Sequence, residues 1–375
     1  MIRVYFFFFC LLSLISCDSN TTSVSEQSTN PVVNHIPFYI GTYTDGDSKG
    51  IYKATLTSDG HLKNRILAVQ TEQPSFLAKS AEQPYLVAVN ETDKEETKGG
   101  TITSYRIEGD SLHFISRQAS GGAHPCYVSI NTQGDVLVAN YTGGNVGYLR
   151  LNQNGQLSEL LAVEQHTGKG TTARQEAPHA HAVQFLPSGE GIVSVDLGSN
   201  ELWFSQLQAS SIETKFKLNM EAGAGPRHIA FHPNQKWLYV INELNSTVGL
   251  ILKNAAGAYE RGSTASTLPE GFTATNLCAD IHISSDGKFL YASNRGHHSI
   301  ATFQINPQNG SLTSLGYTHV QGEWPRNFAL SPDENYVLVA NQHTNNVVLF
   351  KRDQTSGLLS YLEQMEVPNP VCIVF

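Results

Sequence analysis

From residue 36 onward the chain alternates short apolar runs with polar turns, and no stretch shows a convincing helical period. One unit reads Gly225-Pro-Arg-His-Ile-Ala-Phe-His-Pro-Asn, then Trp237-Leu-Tyr-Val-Ile-Asn, then Val248-Gly-Leu-Ile-Leu. Another reads Trp324-Pro-Arg-Asn-Phe-Ala-Leu-Ser-Pro-Asp, then Tyr336-Val-Leu-Val-Ala-Asn, then Val347-Val-Leu-Phe. A fourth strand follows a polar turn such as Asn154-Gly155 or Asn309-Gly310, a hairpin signal between β-branched and aromatic runs. Copies begin near Pro74, Pro125, Pro178, Pro226, Ala279 and Pro325. Four short strands repeated about every fifty residues are the content of one propeller blade. The ends supply a seventh copy: Phe38 to Tyr43 opens as an orphan strand, and Pro370 to Phe375 closes as another. The predicted fold is therefore all-β, a seven-bladed β-propeller over residues 36–375, its closing blade shared between the N- and C-terminal strands. Such sharing leaves no open edge between the first and last blades.

The register of the copies selects candidate site residues. The steps Ser75 to Asn90, His181 to Asp196, Arg227 to Asn242, Ala279 to Asn294 and Arg326 to Asn341 each span 15 residues, and only Cys126 to Asn140 is one shorter. Two rings of equivalent positions follow. One, at the start of the innermost strands, holds Ser75, Cys126, His181, Arg227, Ala279 and Arg326. The other, just past the end of the next strands, holds Glu91, Tyr141, Leu197, Glu243, Arg295 and Gln342. Adjacent strands of a blade run antiparallel, so both rings belong at one end of the molecule near the axis. That end gathers His181, Arg227, Arg295, Arg326, Glu91 and Glu243.

At these residues the chain resembles the lactonase family of seven-bladed propellers, which includes bacterial 6-phosphogluconolactonases and a fungal carboxymuconate cycloisomerase. The strongest block is Gly223-Ala-Gly-Pro-Arg-His-Ile-Ala-Phe-His-Pro-Asn followed by Tyr239-Val-Ile-Asn-Glu-Leu-Asn-Ser. Pro178-His-Ala-His-Ala-Val, Ala279-Asp-Ile-His-Ile-Ser, Ser293-Asn-Arg-Gly and Pro325-Arg-Asn-Phe also match. The cycloisomerase branch implies a catalytic His, Glu and two Arg, which fall here on His181, Glu243, Arg227 and Arg295. Arg326, Glu91, Asp280 and His282 are the expected substrate-binding residues. Asp280 and His282 are read as pointing to alternating faces of a strand, so that one at most faces the site. The resemblance implies hydrolysis of a sugar or anionic lactone. A cycloisomerase, a non-catalytic binding propeller of the cell envelope and a metal-dependent gluconolactonase-like enzyme are the alternatives.

Lactone hydrolysis needs water activated against a carbonyl and a tetrahedral oxyanion stabilised. Glu243 or His181 would take the proton, tuned by neighbouring arginines. Arg227 or Arg295 would serve the oxyanion, and Arg326 suits a carboxylate or phosphate held by two parallel bonds. No serine nucleophile elbow is present, which argues against an acyl-enzyme. The spacing His179-Ala-His181 would set two imidazoles on one side of a strand. Carboxylates at ligand spacing are missing, however, and the cationic surroundings disfavour a divalent ion, so no metal or other cofactor is expected.

The first 17 residues alter the picture of where this happens. Arg3 precedes an apolar run from Val4 to Ile15, the length of a signal-peptide core and too short to span a bilayer. The run ends in Leu14-Ile15-Ser16-Cys17, which resembles a bacterial lipobox with Cys17 as the lipidated residue. Residues 18–35, rich in Ser, Thr and Asn, read as a flexible tether. The expected protein is exported and lipid-anchored to the bacterial envelope, at the periplasm or outer membrane, touching membrane only through that anchor. Its net charge of −9 argues against nucleic acid as a partner. Cys126, Cys278 and Cys372 lie far apart with no CxxC spacing and are expected as isolated buried thiols. A monomer is expected, with a small-molecule lactone as its partner.

Overall fold

The computed structural model describes residues 1, 2, 4, 5, 35–189, 191–254 and 257–375. Cys17, and nearly all of the expected signal segment and tether, lie outside the described residues. The compact unit Asn34–Phe375 contains seven four-stranded antiparallel sheets. His35, the last residue of the segment expected as a tether, belongs to the first strand, His35–Thr42. The innermost strands are Pro370–Val374, Leu77–Lys79, Pro125–Ile130, Ala180–Phe185, Pro226–Phe231, Leu277–Ile283 and Pro325–Leu330. We number their blades 1 to 7 in that order.

Blade 1 is the shared one. Its inner strand comes from the C-terminus and pairs Ile373 with Ile40 and Cys372 with Gly41 of the N-terminal strand. Phe38, Ile40 and Ile373 then bury against Tyr336, Leu338 and Ala340 of blade 7, so the ring is closed by apolar packing as well as by strand pairing. Each remaining interface follows the same scheme of β-branched and aromatic side chains at period two.

The turn glycines are demanded by this packing. Gly310 has φ +75°, and a Cβ there would lie 2.8 Å from the Trp237 ring of the preceding blade. Gly155, with φ +83°, has Ile115 and Tyr85 of its neighbour at 2.5 and 2.7 Å from the same point. Tyrosines fasten these turns: Tyr239 Oη donates to the Gly310 carbonyl at 2.7 Å, and Tyr336 Oη donates to that of Ser58 at 3.1 Å across the ring closure.

The Asn that ends each second strand also has a physical cause. In blades 3, 6 and 7 its amide reaches back to a buried loop carbonyl, Asn140 to Ser120 at 3.1 Å, Asn294 to Thr267 at 2.8 Å and Asn341 to Val320 at 3.0 Å, while Asn242 of blade 5 donates to Thr247 Oγ1 at 2.9 Å. Blade 4 carries Asp196 instead. Its carboxylate accepts from the His179 and Ser199 backbone amides and pairs with the fully buried His166 at 2.7 Å.

The inner strands hold a feature the constant spacing concealed. Pro226 pairs with Asn242 but His228 pairs with Ile241, which leaves Arg227 as an unpaired bulge residue. The same shift leaves out Cys126, His181 and Arg326 in blades 3, 4 and 7. In blade 6 the shift falls between Cys278 and Ile281, with Ala279 and Asp280 on one strand against Ser293 on the other, so the excess is again one residue. Asn294 faces Cys278 just as Asn242 faces Pro226, so Ala279 takes the ring position that Arg227 takes in blade 5. A bulge bends its strand and re-aims a side chain. Here it turns the first ring toward the axis.

Candidate functional site

The bulge residues and the ends of the second strands enclose a cavity of about 310 Å³ at the predicted end of the channel. Glu91, Cys126, Tyr141, His181, Glu243, Arg295, Arg326 and Gln342 line it, all members of the two rings. Arg174, Leu277 and Trp324 complete the wall. Arg227 sits behind it, almost wholly buried.

Glu243 is the hub. Its Oε2 lies 2.7 Å from Arg295 Nη2 and 3.1 Å from Arg227 Nε, and its Oε1 lies 3.3 Å from Arg174 Nη2. The Arg227 Nε contact is ionic without hydrogen-bond alignment. Burial alone would raise the Glu243 carboxyl, but Arg295, Arg227 and Arg174 overcome that and hold it well below the usual carboxylate range. Burial together with Arg295 and Arg326 lowers the Arg227 guanidinium, though not enough to discharge it at neutral pH. Backbone carbonyls fix both buried arginines: Arg227 Nη1 donates to Ala279 at 2.6 Å, and Arg295 Nη2 donates to Cys278 at 2.7 Å. Arg295 also lies over the Trp324 ring, 5.3 Å from its centroid.

His181 stands in a different environment. Burial first, then Arg227, His228 and Arg326, push its imidazole well below the ordinary histidine range, so it is neutral at pH 7. Its Nδ1 meets the Cys126 sulfur at 3.7 Å, while Nε2 has no hydrogen bond among the described residues. Burial, reinforced by Glu91, raises the Cys126 thiol, which is a protonated neighbour and no nucleophile.

The opposite wall is a hydrogen-bonded string. Arg326 Nη2 donates to Tyr43 Oη at 2.8 Å, Tyr43 donates to Glu91 Oε2 at 2.9 Å, and Ser75 Oγ donates to the same oxygen. Three guanidinium groups, of Arg174, Arg295 and Arg326, line the cavity with two carboxylates, and Arg227 stands behind Glu243, so a net positive site sits within a chain of charge −9. Neither carboxylate suits a metal ion. Glu243 is committed to three guanidinium groups and Glu91 to two hydroxyls.

A family model described as lactonase, 7-bladed beta-propeller, matches residues 37–375. The chain belongs to that family. A 6-phosphogluconolactonase of Bacillus subtilis is 37% identical over 343 residues, covering 90% of this chain and 97% of the relative. A 6-phosphogluconolactonase of Formosa agariphila is 32% identical, covering 88% of this chain and 96% of its own length. Among solved structures, the periplasmic gluconolactonase of Pseudomonas aeruginosa superposes with a TM-score of 0.86 at 30% identity, covering 91% of this chain and 99% of that one.

Within this lactonase propeller the structure brings His181, Arg227, Glu243, Arg295, Arg326 and Glu91 together. It does not bring Asp280 and His282 to the cavity wall. They lie one layer along the inner strands, and alternation does not separate them: two residues apart, they bond to each other at 3.1 Å. Sequence reasoning passed over Tyr141 and Cys126, although both stand in the rings. Trp324 immediately precedes the Pro325-Arg326 pair and could have been found by that adjacency. Tyr43 belongs to the shared blade, where the internal register gives no counterpart. Arg174 lies in the long loop between blades 3 and 4, on a short 3-10 turn closed by a capping box of Thr172 and Gln175. No periodic signal marks it.

Proposed function

We propose that the protein hydrolyses a sugar-acid lactone at this channel mouth, using His181 and the arginine cluster and no metal. The observation that carries the reading is the pairing of a neutral, cavity-facing His181 with guanidinium groups fixed by Glu243. His181 takes a proton from water as the water oxygen attacks the lactone carbonyl. Arg227 and Arg295 stabilise the oxyanion that forms. The ring C–O bond then breaks, and the imidazolium returns its proton to the departing ring oxygen. Glu243 is too weakly basic among three arginines to compete for that proton, so its part is to hold the guanidinium groups in place. Arg326 and the Tyr43–Glu91 string offer donors and acceptors to the sugar hydroxyls or to an anionic substituent.

The N-terminal sequence supports export and lipid attachment at Cys17, and the similar structure from Pseudomonas aeruginosa, named a periplasmic gluconolactonase, is in keeping with export. An exported enzyme would meet unphosphorylated lactones, so these are the first substrates to try. His181→Gln should lower kcat on a lactone that the wild type hydrolyses by about 10²–10⁴-fold, the usual contribution of a positioned acid or base. An undiminished kcat would remove His181 from the proton transfer.

A further inference from the structure

Beneath the cavity lies a buried group that the proposed reaction does not use. Asp280 follows the ring residue Ala279 in the inner strand of blade 6, at the register that His228 holds in blade 5. Its carboxylate accepts five hydrogen bonds: from His228 Nδ1 at 2.8 Å, His282 Nε2 at 3.1 Å, Asn327 Nδ2 at 2.6 Å, and the backbone amides of Ile281 and Phe328 at 3.0 and 3.3 Å. Taking a carboxylate out of water costs several kcal/mol unless its lone pairs are filled, and here they are.

What the carboxylate does is set a proton. Because Nδ1 of His228 must donate to Asp280, its Nε2 carries a lone pair, and that nitrogen lies 3.2 Å from Arg227 Nη1. Arg227 Nη1 therefore donates both to His228 Nε2 and to the Ala279 carbonyl at 2.6 Å. Two acceptors on one nitrogen fix the roll of the guanidinium plane, and Nε is thereby turned toward Glu243. The opposite tautomer would put two N–H groups face to face and drive the guanidinium off. The His228 ring is itself wedged edge-on against Tyr127 at 5.2 Å, His181 at 5.4 Å and Phe76 at 5.9 Å. Burial and Arg227 lower its imidazole to about 4 despite Asp280, so it stays neutral at working pH.

We infer that Asp280 and His228 are positioning residues for the reaction, a carboxylate–imidazole pair that holds Arg227 in its oxyanion-binding orientation from behind. The inference rests on the lactonase reading for its effect on rate, but its geometric part stands apart from activity. His228→Leu removes the acceptor while keeping apolar volume. His228→Gln restores both bonds, its amide N–H to Asp280 and its carbonyl oxygen to Arg227.

The test combines crystal structures with steady-state kinetics for wild type, His228→Leu and His228→Gln. His228→Leu should show the Arg227 guanidinium rotated away from Glu243. Its kcat should fall by about 10²-fold, the cost of misplacing a catalytic group by an ångström, with KM little changed. His228→Gln should regain both the orientation and most of the rate. A guanidinium that stays put in His228→Leu overturns the inference whatever the activity. A rotated guanidinium with undiminished kcat overturns it too. A rotated guanidinium in a protein whose wild type hydrolyses no lactone upholds the positioning and overturns the lactonase reading instead. If His228→Leu does not fold, Asp280→Asn decides the same question, since it frees the tautomer and should displace Arg227 likewise.

Discussion

His166→Leu should be among the most destabilising single changes in the propeller, and its cost should depend on pH in a defined way. His166 is completely buried between two buried carboxylates, Asp196 at 2.7 Å from Nδ1 and Glu164 at 3.7 Å from Nε2. Ser194 Oγ lies 3.1 Å from Nε2, and the ring stacks on Trp203 at 4.1 Å. Burial opposes the charged imidazole, but Asp196 and Glu164 outweigh it and raise His166 above its ordinary value. Burial likewise opposes both carboxylates, and hydrogen bonds from His166 and from hydroxyl or amide groups outweigh it and lower them. Leucine leaves two anions buried without their cation. Breaking such a pair costs about 3–5 kcal/mol. For a unit of ~340 residues the unfolding entropy is about 0.7 kcal/mol/K, so the melting temperature should fall by about 4–7 °C at pH 6.

The sign of the pH effect follows from the shifts. The raised His166 contributes fully below its unfolded value near 6.5 and loses that contribution as pH rises through its folded value. The lowered Asp196 and Glu164 contribute fully above about 4.5 and lose it as pH falls through theirs. The gap between wild type and His166→Leu should thus be widest between about pH 4.5 and 6.5 and narrow on both sides, as read by calorimetry across pH 3–9. A gap below about 1 kcal/mol, or one that is flat across that range, would refute the reasoning.

Four further outcomes are expected. Glu243→Gln should lower kcat and cost about 3–5 kcal/mol of stability, because it strands buried arginines; kinetics with a parallel thermal melt would show both losses together. Arg326→Ala should chiefly raise KM, since its contacts serve ground and transition states alike, and a selective fall in kcat would contradict that role. Deleting residues 370–375 removes the buried side chains of Val371 and Ile373, whose burial is worth about 3–6 kcal/mol before any loss of ladder hydrogen bonds, and exposes the edge of the N-terminal strand; size-exclusion chromatography should show aggregation. Cys17→Ser should move the protein from the membrane to the soluble fraction, and an unchanged distribution would oppose lipid attachment.

Most of the fold was legible because a propeller writes one blade six times and splits the seventh. Period-two runs, Asn-Gly turns and orphan strands at both ends were enough to place every inner strand. The site was legible to the same depth, since equivalent positions in a closed ring must converge. What remained hidden was local. A bulge adds a residue without disturbing the spacing when each blade carries one, so the constant offset disguised the devices that aim Arg227, His181 and Arg326 inward. Asp280 stands one residue past the ring position, at the register His228 holds in blade 5, and is a buried partner of His228 and His282 instead of a cavity residue. Arg174 reaches Glu243 from an irregular loop, where no repeat predicts a contact. In sequence, Glu243 and His181 are equal candidates for the base, and the proposal of His181 rests on the three guanidinium groups found around Glu243.

Metal-free lactone hydrolysis is tested most directly by following acid release at neutral pH from a panel of phosphorylated and unphosphorylated sugar lactones, with and without chelator. The wild type should hydrolyse at least one of them well above the spontaneous rate, equally fast in chelator. Turnover abolished by chelator would contradict the assignment of the chemistry to His181 and the arginines. No turnover on any lactone would leave a binding propeller in place of an enzyme.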